Sequence, residues 1–128
     1  MWMGDMETDF MEKIEENVSW QHVDILFAPH HGRSSGRVPN PILEKLSPKV
    51  IVIGEAPSED LNYYNNCNTI TQNRAGDIYF CCNSNYWVDI YVSNPNYQSP
   101  FFLTYRDAAR PIGPRGTNYL GSLYLGRN

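Results

Sequence analysis

Two short segments that are apolar at nearly every position, VDILFAP at 23–29 and KVIVIGE at 49–55, restrict the folds open to this chain more than anything else in it. A strand that alternates apolar and polar residues lies with one face in water. A strand without that alternation is covered on both faces, as in the sheets of layered α/β proteins. Between the two segments, Asn40 followed by Pro41 marks a helix start, PILEKL at 41–46 forms a short helix, and Pro48 stops it. Upstream, Met6, Phe10, Ile14 and Val18 recur every four residues with Met11 beside them, while Glu7, Glu12, Lys13, Glu15 and Glu16 take the other faces. That spacing predicts an amphipathic helix whose acidic first turn suits the positive helix end, closed by Trp20. The order helix, strand, helix, strand predicts an α/β fold.

After Gly54 the character changes. SEDLNYYNNCNTITQNRAG, at 58–76, has no clear period and reads as a long ordered loop with at most one helical turn. DIYFCC and YWVDIYVS, separated by NSN, read as a hairpin of aromatic and β-branched residues. From Asn94 onward Pro and Gly punctuate an irregular C-terminal segment, 94–128, that ends in a last strand at NYLGSLYLG. With 128 residues the chain is expected to form a single domain.

A net charge of −4 excludes a global positive field that would hold a polyanion or an anionic membrane, so nucleic acid and membrane partners are not expected. The apolar runs are too short to span a bilayer, and the opening MWMGDMETDF lacks the basic start and apolar centre of a secretion signal, so the expected location is the cytoplasm. Cys67, Cys81 and Cys82 are odd in number and show no C-x-x-C spacing, which makes them ordinary small side chains rather than a disulfide or zinc framework.

Three features carry chemistry. Asp5 follows Gly4 just before the first helix, where a carboxylate can cap the helix or reach a metal. His30 and His31, followed by Gly32, stand at the end of the first strand, and imidazole is both a metal ligand and a proton carrier near neutral pH. GRSSGR then offers backbone amides, the hydroxyls of Ser34 and Ser35, and the guanidinium groups of Arg33 and Arg37, enough for one phosphate or carboxylate. His22, ahead of the strand, reads as solvent-exposed, and Glu55, Glu59 and Asp60 as solvated loop carboxylates.

Taken in order, an Asp after Gly, an amphipathic helix, a buried strand, PHHG, a short helix and SPKVIVIG resemble the C-terminal half of a metallo-β-lactamase-fold hydrolase of the ComEC-like type. The corresponding family segments run GD(L/M)E, then D-(I/V)-L-x-x-P-H-H-G-S, then SPK before a strand. The resemblance covers roughly residues 3 to 93, and YLGSLYL is similar to the family's terminal strand. It implies half of an αββα sandwich, a mixed sheet with helices on one face and a C-terminal hairpin, with zinc at one edge. It further implies Asp5 at the position of the carboxylate that bridges two metals, His30 or His31 as a ligand of the second, and Arg33, Ser34 and Ser35 around a phosphodiester or related ester substrate. The assigned catalytic and metal residues are thus Asp5, His30 and His31.

The family's main metal motif, H-x-H-x-D-H, is absent, and no further histidine follows VIVIGE. On the resemblance, then, the chain is expected to be inactive unless an N-terminal half completes it, with zinc weak or absent in this portion. A half sandwich would also leave one sheet face open, to be covered by that half, by self-association or by PFFLTY folding back. The competing expectation is a non-catalytic binding or assembly module that uses Tyr63, Tyr64, Tyr86, Trp87 and Tyr91 as packing or interface aromatics.

Overall fold

All four residues of Val50–Ile53, here β2, are buried, and the sheet is built around them. β2 lies between two parallel neighbours, β1 (Ile25–Phe27) and β3 (Thr69–Thr71), with Ile51 opposite both Leu26 and Thr69. A middle strand of this kind has no polar face to offer, which is why its sequence does not alternate. These coordinates form a computed structural model that describes residues 1–82, 86–99 and 113–126. The chain divides into two compact units, Met1–Asn73 and Arg74–Asn128, of α/β character, with one three-stranded sheet in each.

In the first unit, α1 (Thr8–Ile14) precedes β1, and α2 (Asn40–Leu46) connects β1 to β2. Pro41 stands in the first turn of α2, where its missing N–H costs no hydrogen bond. The helix ends at Ser47, left-handed at φ 40°, whose N–H returns to the Leu43 carbonyl at 2.8 Å. Ile42 and Leu46 of α2, Met11 of α1, Leu26 of β1, and Ile51 and Ile53 of β2 pack into one core with Met3, Val38, Ala56 and Tyr64. Burying each of the three isoleucines stabilises the fold by roughly 1.5–3 kcal/mol.

Several expectations are revised here. The first helix has only two turns and passes into a 3₁₀ turn at Glu15–Asn17, where the Trp20 indole N–H donates to the Glu15 carbonyl at 3.1 Å and draws the chain back. Only Met11 of α1 is buried, while Phe10 and Val18 from the expected apolar stripe are 52% and 39% exposed. A strict four-residue repeat drifts around a 3.6-residue helix, and two turns present little of it to one core. The segment expected to be a loop contains β3 and the short α3 (Gln72–Ala75). Among the described residues there is no mixed sheet, since the parallel and antiparallel strands form two separate sheets. Val50 and Val52, which alternate with Ile51 and Ile53, are buried as well.

The second unit is an antiparallel sheet in the order β4 (Ile78–Cys82), β5 (Trp87–Val92), β6 (Asn118–Tyr124). The expected hairpin pairs Phe80 with Ile90, and the expected last strand joins β5 with a register shift at Ile90/Tyr91. Cys67, Cys81 and Cys82 are all free thiols. NSN and PFFLTY lie outside the described residues.

Candidate functional site

β1 does not stop at Phe27. The Ala28 N–H donates to the Val52 carbonyl at 2.9 Å, and the opposite edge of β1 is lined by the chain's first residues, with Trp2 bridged in parallel to Phe27 and the Phe27 N–H donating to the Met1 carbonyl at 2.9 Å. The His30 N–H then donates to the Gly4 carbonyl at 3.0 Å. Four parallel segments therefore release their loops at the same end of the sheet: Gly4–Asp5, His30–Gly32, Gly54–Ala56 and, after β3, Gln72–Asn73. In open α/β sheets this carboxyl end is where ligands are bound.

The tandem histidines hold an uncommon backbone. His30 has φ 47°, His31 φ 58° and Gly32 φ 92°, three consecutive left-handed residues. Histidine enters this region more readily than most side chains, yet such positions cost of order 1–3 kcal/mol and persist only where the surroundings impose them. The surroundings here do so. The Arg33 N–H donates to the His30 carbonyl and the Gly36 N–H to the Arg33 carbonyl, each at 3.0 Å. Gly36 sits so close that a Cβ on it would lie 2.8 Å from the Pro29 carbonyl oxygen and 2.9 Å from the His30 Cβ. Gly54, at the end of β2, lies against the second ring, where a Cβ would stand 2.7 Å from His31 Nδ1. Gly36 thus packs on the Pro29 backbone and the root of the His30 side chain, and Gly54 on the His31 ring. The two positions are visible in GRSSGR and VIVIGE, but nothing in the sequence marks them as packing positions for His30 and His31.

The two imidazoles differ in setting. His30 is half-buried, and its Nε2 is a buried nitrogen with no hydrogen-bond partner, whereas His31 is exposed. An unpaired buried polar atom costs about 1–3 kcal/mol and calls for an explanation. Asp5 is exposed and follows Gly4, itself left-handed at φ 58°. It does not cap the helix, because the cap position falls on Glu7, which makes no side-chain cap hydrogen bond. The backbone thus brings the loops of Asp5 and His30 together, but among the described residues no group of three or more His, Cys, Asp or Glu side chains is arranged to hold a metal ion. His22 is exposed.

Arg33, Ser34 and Ser35 are exposed. Ser34 and Ser35 line a groove of about 410 Å³ together with Glu7, Thr8, Asp9, Arg37 and Tyr63. The loop that carries them is anchored from several sides. Thr8 Oγ1 donates to the Arg37 carbonyl at 2.8 Å and lies 3.1 Å from that of Ser35. Adjacent tyrosines satisfy both backbone groups of Val38: its N–H donates to the Tyr64 hydroxyl at 3.1 Å, and the Tyr63 hydroxyl donates to its carbonyl at 3.0 Å. Burial pushes Tyr64 up to about 12.

Arg37 lies over the Tyr63 ring, 5.0 Å from its centroid, and pairs with Asp60 at 3.2 Å. Asp60 is therefore not a solvated loop carboxylate but a buried one, held by a guanidinium. The ion pair occupies part of the donor capacity that GRSSGR offers to an anion. Glu55 and Glu59 are exposed as expected. A further tie was not foreseen: the Asn73 carboxamide accepts from the Ala56 N–H at 3.1 Å and donates to the Ala56 carbonyl at 3.0 Å, joining the loops after β2 and β3. Compared with known proteins, the chain matches no family model, no curated protein and no solved structure.

Proposed function

We propose that this chain is the C-terminal portion of a metallo-β-lactamase-superfamily, metal-dependent hydrolase acting on a phosphodiester or related ester, inactive unless an N-terminal half completes it. The observation that carries the reading is the buried, unpartnered Nε2 of His30 at the carboxyl end of the parallel sheet, in a loop hydrogen-bonded to the segment that leads into Asp5. The motif order GD, PHHG, SPK supports it independently of that geometry.

The residues of this chain do not by themselves fit a complete zinc site, since the described ones bring no three ligating side chains together. Asp5 and one of His30 and His31 are the ligands it would contribute, and a partial set of this kind binds zinc weakly. No reaction step follows from this chain alone. What its own residues do is hold the loop: Gly36 and Gly54 leave room for the histidine turn, and Thr8, Tyr63 and Tyr64 fix the segment that presents Ser34 and Ser35. Three free thiols accord with a reducing compartment, and we place the protein in the cytoplasm. Among the described residues no helix is long and apolar enough to cross a membrane.

Zinc titration of the purified chain by calorimetry tests the proposal. Weak binding is expected, reduced at least tenfold in Asp5→Ala and in at least one of His30→Ala and His31→Ala. Equal zinc binding by the wild type and all three variants, or none even by the wild type at millimolar zinc, would overturn it.

A second reading, a non-catalytic assembly module derived from the same fold, is favoured by one observation. Trp2 is 78% exposed on the outermost strand segment, stacked on Phe27 at 5.2 Å. Sedimentation of wild type and Trp2→Ala separates the two, because on the assembly reading the variant loses an association that the wild type shows.

A further inference from the structure

We draw no further inference here: the strongest candidate, the face of the antiparallel sheet where Trp87, Tyr91, Tyr119 and Tyr124 flank the buried Asp89–Ser122 pair, carries nothing because the described residues do not show what covers it.

Discussion

Gly36 and Gly54 pack against neighbouring histidines, yet a methyl group added at each meets different resistance. At Gly36 it would strike the Pro29 carbonyl oxygen, a backbone atom, and the His30 Cβ, held by the left-handed turn after β1. At Gly54 it would strike only side-chain atoms of the exposed His31, the ring at Nδ1, 2.7 Å away, and the Cβ, 2.9 Å away. Gly36→Ala is therefore expected to cost about 1–3 kcal/mol in urea denaturation, typical of overpacking. Gly54→Ala is expected to cost less, about 1 kcal/mol, since only the exposed His31 side chain and no backbone atom must give, while shifting the His31 ring protons in an NMR spectrum. Equal losses for the two variants would contradict this assignment of the contacts.

Tyr64 supports a second residue-scale expectation. Its hydroxyl accepts from the Val38 N–H in the core, so Tyr64→Phe leaves a buried amide unpaired and should cost about 1–3 kcal/mol by denaturation. Its ionisation follows from the same burial. The unfolded phenol loses its proton near the ordinary value of 10.0, the folded one only at about 12. Between these values the unfolded state binds fewer protons than the folded state, so stability falls as pH rises. The contribution is complete below pH 10 and is lost at up to about 1.4 kcal/mol per pH unit above it. Stability measured at pH 9 and 11 should show a drop in the wild type that is smaller in Tyr64→Phe.

Among the elements, α2 ends on a side chain where glycine is the usual choice. Ser47 takes φ 40°, a region where a Cβ is crowded, and its N–H closes the last turn. Ser47→Gly keeps that hydrogen bond and is expected to raise stability by about 0.5–1 kcal/mol, read as a higher thermal midpoint. In the antiparallel sheet, β5 and β6 place a polar pair inside: Ser122 donates to Asp89, with the Tyr119 hydroxyl 2.6 Å from the Ser122 hydroxyl. Asp89 and Ser122 are 3% and 1% exposed, directly opposite each other in the register. Ser122→Ala removes a donor to a buried carboxyl group and should destabilise by about 1–3 kcal/mol. Ser122→Thr, which keeps the hydroxyl, should lose less if the hydrogen bond rather than the side-chain volume is what matters.

At the scale of the whole molecule, the local signals in the chain were enough for β1, α2, β2, the β4–β5 hairpin and β6. Apolar runs, an Asn-Pro start and a β-branched aromatic hairpin are properties of neighbouring residues. They also sufficed for the tandem histidines at a strand end. β3 stayed hidden inside a polar, Asn-rich stretch because Thr69–Thr71 becomes a strand only by pairing with β2, a partner sixteen or more residues away. Long-range pairing also decided that the strands form two sheets rather than one. The short first helix, the buried Asp60 and the glycines packed against the histidines likewise depend on what the folded chain brings alongside, which no window of neighbouring residues contains. The sequence by itself determined the α/β character and the order of motifs, since periodicity and turn chemistry act over a few residues. Only the tertiary structure decided that His30 is half-buried with its Nε2 unpartnered, that His31 is exposed and that Asp5 follows a loop bonded to theirs, because burial and hydrogen bonding between distant segments exist only once the strands have aligned.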